Sequence, residues 1–153
     1  MARRRSLVDA VRAAGHDAFV ADTAPLIFRL ERAAEPRFVR AGDPLFDRVD
    51  DGELGCIVST IAAAELLVGA HRRGGSAIAV VDAFLRGPSI GVSPPDLGTA
   101  GIAAQILARG TLRRLGDAFI AATAVDLGLP LVTADRRLAR SGAAEAFLVA
   151  DFA

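Results

Sequence analysis

From residue 17 onward, short apolar runs with strand character alternate with stretches of helical spacing. That alternation is the mark of a parallel sheet covered by helices, since each strand–helix–strand unit returns the chain to the same edge. The spacing predicts strands at Ala18–Ala21, Cys56–Ser59, Ile90–Val92, Leu131–Thr133 and Phe147–Val149. Helices are predicted at Pro25–Ala34, Thr60–His71, Ala77–Arg86, Leu97–Arg109, Asp117–Leu127 and briefly after Asp135, with breaks at Gly74-Gly75, Gly87-Pro88, Pro94-Pro95, Gly116 and Gly128–Pro130. The expected architecture is α/β: three layers with a central parallel sheet of four or five strands. A chain of 153 residues makes one such domain. Residues 1–16 read as an N-terminal extension, an amphipathic helix with Leu7, Val8 and Val11 on one side behind a frayed Arg3-Arg4-Arg5, and 17–153 as the single domain. Glu35–Gly55 reads as a helix-containing insert on the surface.

Four acids interrupt this apolar pattern. Asp22, Glu65, Asp117 and Asp135 stand at the end of an apolar run or inside one, and a buried ionised carboxylate is expensive unless it is paired or holds a metal. Asp22 and Asp135 each follow a strand and precede a helix, which is also where an aspartate N-cap belongs. Asp117 opens a helix after Gly116, so capping explains it equally well. Glu65 is different, because Ile61–Val68 is apolar on nearly every face and reads as buried; an ion pair or a narrow exposed stripe is its bland explanation. If the strands are parallel, all four acids converge at the carboxyl edge of the sheet, where open α/β sheets bind ligands. A carboxylate set without nearby His or Cys suits a hard cation, Mg²⁺ or Mn²⁺.

These residues resemble the PIN domain nucleases, and among them the VapC-type toxins of toxin–antitoxin pairs. The resemblance lies in Val20–Ile27, Val58–Ala70, Gly116–Ala124 and Leu129–Asp135. It implies a three-layer α/β/α fold and a Mg²⁺- or Mn²⁺-dependent ribonuclease site in which Asp22, Glu65, Asp117 and Asp135 hold one or two ions. Thr23, Ser59 and Thr133 are then candidate supporting hydroxyls, or simply local caps. A small cognate antitoxin protein and a homodimer are implied as well. The alternative is a catalytically silent module of the same fold that binds RNA or a partner protein.

Charge and composition exclude other classes. Eighteen basic residues, all Arg, balance eighteen acids, so net charge neither requires nor forbids RNA. The arginines group at His71–Arg73, at Arg109 with Arg113-Arg114, and at Arg136-Arg137 with Arg140, as phosphate contacts or as solvated helix ends. The single Cys56 rules out an intrachain disulfide and reads as a core residue. His16 and His71 give no support to a Ser-His-Asp hydrolase, and Ala24 stands where a haloacid-dehalogenase-type phosphatase needs a second Asp. No apolar run is long enough for a membrane span or a signal peptide, so a cytoplasmic protein is expected.

Overall fold

A computed structural model describes residues 5–32 and 35–153. Its elements run α1 (Leu7–Ala13), β1 (Ala18–Ala21), α2 (Thr23–Glu31), α3 (Pro36–Asp50), β2 (Gly55–Ser59), α4 (Thr60–Arg73), α5 (Ala77–Leu85), β3 (Ile90–Ser93), α6 (Leu97–Ala108), α7 (Leu115–Leu127), β4 (Leu131–Thr133), α8 (Arg136–Arg140) and β5 (Ala146–Leu148), closing in a 3₁₀ turn at Val149–Phe152. The five strands form one sheet in the order β3-β2-β1-β4-β5, and every neighbouring pair is parallel. The chain is thus α/β with a helix-flanked parallel sheet of five strands.

The central strand explains itself: Phe19, Val20 and Ala21 are fully buried, as expected of a strand covered on both faces. Cys56 and Val58 on β2 and Leu131 and Val132 on β4 are buried beside it. Burial also pushes the Cys56 thiol pKa far up, consistent with a core residue.

The segment Glu35–Gly55 is not a surface insert. It holds the 15-residue helix α3, whose Val39, Leu45, Phe46 and Val49 lie in the core, with the Phe46 ring edge-on to Phe19 of β1 at 5.9 Å. Pro36 in its first turn suits a helix start, but Pro44 sits inside, where the missing N–H and ring clash cost about 3 kcal/mol. Burying four apolar side chains contributes about 1.5–3 kcal/mol each, so packing overrides the breaker. Helix α1 begins on a Ser6–Asp9 capping box. Its Leu7, Val8 and Val11 join the same core cluster, and α1 lies against α3.

Smaller differences are instructive. Gly116 lies within the first turn of α7, so the expected break there is absent. Val149 has left the last strand for the 3₁₀ turn. Helix α2 begins at Thr23, two residues before the expected Pro25. Its expected end at Ala34, like the frayed Arg3-Arg4, lies outside the described residues.

Candidate active site

Strand order locates the site. The chain builds β1, β2 and β3 outward in one direction, then returns to the other side of β1 for β4. The crevice between β1 and β4 is therefore the point where the order reverses, the usual ligand position in such sheets. Pairing of Ala21 with Val132 and the hydrogen bond from Asp22 N to Val132 O at 2.9 Å carry the register one residue past β1. Asp22 is thereby set beside Thr133, the last residue of β4.

Threonines then fix two of the acids. Thr133 Oγ1 donates to Asp22 Oδ2 at 2.7 Å, and the Thr23 backbone N–H donates to Asp22 Oδ1 at 2.8 Å. Thr23 Oγ1 donates to Glu65 Oε2 at 2.8 Å, so one residue touches two carboxylates from different elements. The Asp135 N–H donates to Thr133 Oγ1 at 3.0 Å, tying the fourth acid to the same threonine. Thr23 and Thr133 thus do more than cap locally, whereas the Ser59 hydroxyl accepts from Ile61 N, as a cap of α4.

The cap explanation holds for some acids and not for others. Asp135 Oδ1 accepts from Arg137 N and Leu138 N, so it does cap α8. Asp117 is no cap, because α7 starts at Leu115 with Arg114 in the cap position. Glu65 is exposed, contrary to the buried position expected for it. Its neighbours on the solvent face of α4 include Ala64 and Val68, both exposed, so the sequence carries no polar contrast there. Glu65 Oε1 nevertheless reaches α7: a Cβ placed on Gly116 would lie 3.4 Å from it.

Electrostatics join all four acids. Asp22, 8% exposed, has its pKa raised, first by burial and then by Asp117 and Glu65, against the hydrogen bonds from Thr133 and Thr23. Asp117 is raised by burial, by Asp135 and by Glu65, with Arg114 opposing. Asp117 is therefore the hub, within electrostatic reach of the other three acids. None of the four makes an ion pair with a basic side chain among the described residues.

The donor set consists of carboxylate oxygens alone, and the like-charge repulsion at Asp22 and Asp117 is what a cation would relieve. No three His, Cys, Asp or Glu side chains among the described residues form a ready metal cage.

Arginines rim the acids. Leu112, Arg113, Arg114, Asp117, Asp135 and Arg137 line an open groove of about 510 Å³. Of the arginine groups in the sequence, Arg113, Arg114 and Arg137 come to the acids, while Arg73 pairs with Glu31 and Arg109 ends α6. His16 stands 3.7 Å from Glu145, and His71 lies exposed in the last turn of α4.

A family model described as PIN domain matches residues 37–143; the match takes in Glu65, Asp117 and Asp135 and begins after Asp22. No curated protein matches the chain. Among solved structures, VapBC2 from Rickettsia felis bound to a promoter DNA fragment aligns with a TM-score of 0.70 at 14% identity, covering 86% of this chain and 98% of that one. FitAcB from Neisseria gonorrhoeae gives 0.64 at 23% identity, covering 86% and 97%. VapBC-5 from Mycobacterium tuberculosis, described as a member of the VapBC family of toxin–antitoxin systems, gives 0.55 at 27% identity, with 86% and 97% covered.

Proposed function

The chain belongs to the PIN domain family, and on that premise we propose that it is a Mg²⁺- or Mn²⁺-dependent endoribonuclease serving as the toxin of a toxin–antitoxin pair. The observation that carries this reading is the approach of four carboxylates, without ion pairs among the described residues, at the β1–β4 switch point: Asp22, Glu65 and Asp135 are joined through Thr23 and Thr133, and Asp117 lies within electrostatic reach of all three.

In this reading Asp22, Glu65, Asp117 and Asp135 hold one or two divalent ions. An ion so bound lowers the pKa of water and offsets charge on the phosphoryl oxygens. The chain's own residues supply orientation. Thr133 and the Thr23 N–H pin both oxygens of Asp22, so its carboxylate plane is fixed before any ligand arrives. The Thr23 hydroxyl holds Glu65 against that plane across 42 residues of sequence. Preorganisation of this kind is what lets a charged site act without reorganising during the reaction. Water adds to phosphorus, the P–O3′ bond breaks and O3′ takes up the proton, leaving a 5′-phosphate and a 3′-hydroxyl.

The VapBC and toxin–antitoxin complexes among the structural relatives support a cognate antitoxin as partner; in this reading it is a small protein that lays a basic side chain among the acids. Exposed Val68 and Leu115, close in sequence to Glu65 and Asp117, offer apolar contacts to such a partner. A homodimer and a cytoplasmic location complete the proposal; no helix among the described residues is long and apolar enough to cross a membrane.

The test is calorimetric titration of Mn²⁺ into the metal-free protein and into Asp22→Asn, with RNA cleavage run on the same samples. Wild type should bind and cut, and the variant should do neither. A wild type that takes up no metal sinks the nuclease reading in favour of a silent binding module.

A further inference from the structure

Beside the acids lies a second, shallow and wide-open groove lined by Thr111, Arg136, Arg137, Arg140 and Ser141. Arg137 belongs to both grooves, so they meet there. Arg113, Arg114, Arg136, Arg137 and Arg140 are all exposed, and none forms an ion pair among the described residues. Arginines elsewhere, such as Arg29, Arg32 and Arg73, are paired with acids of the chain. Apart from Asp117 and Asp135 at one end, no acid lines either groove, and neither is lined by an aromatic ring.

Local structure sets the cations in a row. Asp135 caps α8, and Arg136 follows immediately. Residues three and four apart share a helix face, so Arg136 and Arg137 fall on the side of Arg140. On the other bank, Leu112 is 3% exposed and anchors the link between α6 and α7, which leaves Arg113 and Arg114 facing outward.

Given the ribonuclease reading, which it rests on for the identity of the polyanion, we infer that the two grooves form one phosphate track for single-stranded RNA. The sugar–phosphate backbone leaves the carboxylates past Arg113 and Arg114, crosses Arg137 and continues along Arg136 and Arg140. One row of cations suits one backbone, and guanidinium groups engage phosphate oxygens in a planar fork. Contacts to phosphate carry no sequence information, so the track binds without regard to sequence. Selection of a particular RNA must then arise elsewhere on the molecule.

Binding of labelled oligouridylate and oligoadenylate, measured in EDTA against salt concentration, tests the track without any cleavage. Arg137→Gln should weaken both RNAs roughly three- to tenfold and to the same extent. The triple variant Arg136→Gln, Arg137→Gln, Arg140→Gln should flatten the salt slope by about 2, near 0.7 for each phosphate of a single strand that the protein no longer neutralises. Arg72→Gln, at an exposed arginine that ends α4 and forms no ion pair among the described residues, should change neither. The track is overturned if wild type binds no RNA, if the triple variant keeps the slope, if Arg72→Gln loses as much, or if polyglutamate of equal charge binds more tightly than RNA. Wild type that binds RNA through these arginines but never cuts with Mn²⁺ faults the nuclease reading alone. Normal cutting together with unchanged binding by the triple variant faults the track alone.

Discussion

Two regions of this molecule are built from arginine and aspartate, and they handle their charges in opposite ways. Between α2 and α3, Arg29 reaches Asp43 at 3.0 Å, Asp47 at 2.9 Å and Asp50 at 2.7 Å, while Arg32 takes Asp43 at 2.9 Å. Arg32 foremost, with Arg29, holds the Asp43 carboxyl below its usual range. At the β1–β4 edge the acids face one another, and Asp22 and Asp117 are pushed upward by burial and like charge. The arginines there stay unpaired. The first region neutralises its charges within the chain and so fastens two helices together. The second leaves both signs open, which is what the proposed binding of metal ions and RNA phosphates requires.

The comparison breaks most visibly through Asp117, the acid that senses the other three. Asp117→Asn should lower Mn²⁺-dependent RNA cleavage on the order of a hundredfold or more, a loss typical of removing a preorganised charge, while Asp126→Asn on the exposed side of the same helix should leave cleavage unchanged. Equal losses in a rate assay would show that net charge, and not position, matters.

The opposite substitution belongs to the other region. Arg29→Gln strands Asp47 and Asp50 and leaves Asp43 to Arg32 alone, and with the Arg29 side chain 19% exposed the loss should fall between those of surface and buried pairs, about 1–3 kcal/mol in urea unfolding. Mn²⁺ binding should not change. A stability loss below about 0.5 kcal/mol, the ordinary range of surface substitutions, would mean that the network is ornamental.

The smallest effect has the most diagnostic sign. The folded-state pKa values of Asp22 and Asp117 lie above the ordinary 3.8. Between 3.8 and those raised values the native state binds more protons than the unfolded chain, so these two acids add stability as the pH falls through that window. Asp43 behaves inversely: its contribution is present above 3.8 and is lost as the pH falls through its lowered folded value. Asp22→Asn should therefore raise the melting temperature of the metal-free protein near neutral pH by a few degrees, a gain of about 1 kcal/mol corresponding to about 2–4 °C at this size. The Thr133 hydroxyl can turn to accept from the new amide, so the hydrogen bonds survive. The gain should vanish at acidic pH and reverse once Mn²⁺ is added to both proteins; a variant less stable than wild type without metal would show that the acids are structural.

Much of this was legible in the sequence for an identifiable reason. Strands buried on both faces leave uninterrupted apolar runs, so Ala18–Ala21 and Leu131–Thr133 were readable to the residue, and an acid soon after each run marks the edge. Helix α3 was obscured because Gly42 and Pro44 read as breakers, while its apolar positions Val39, Leu45, Phe46 and Val49 serve the core regardless. Exposure of Glu65 was hidden by the small apolar residues beside it. The bonds from Thr23 and Thr133 depend on register between distant strands, which no local pattern encodes. The meeting of Arg137 with both grooves is likewise a property of the assembled surface.

The hydrogen bond between Thr133 and Asp22 spans 111 residues of chain, and this separation reaches into biosynthesis. A ribosome adding about 5–20 residues per second needs roughly 6–22 s to travel from one partner to the other. Throughout that interval β1, the middle strand of the sheet, lacks its β4 neighbour, and Asp22 has no Thr133 beside it. Every nascent chain that ends before β4 therefore lacks both the threonine that holds Asp22 and the fourth acid, Asp135. The four acids come together only once β4 has been made; on the proposed function, cleavage waits for that moment, which leaves a freshly made antitoxin time to be present first.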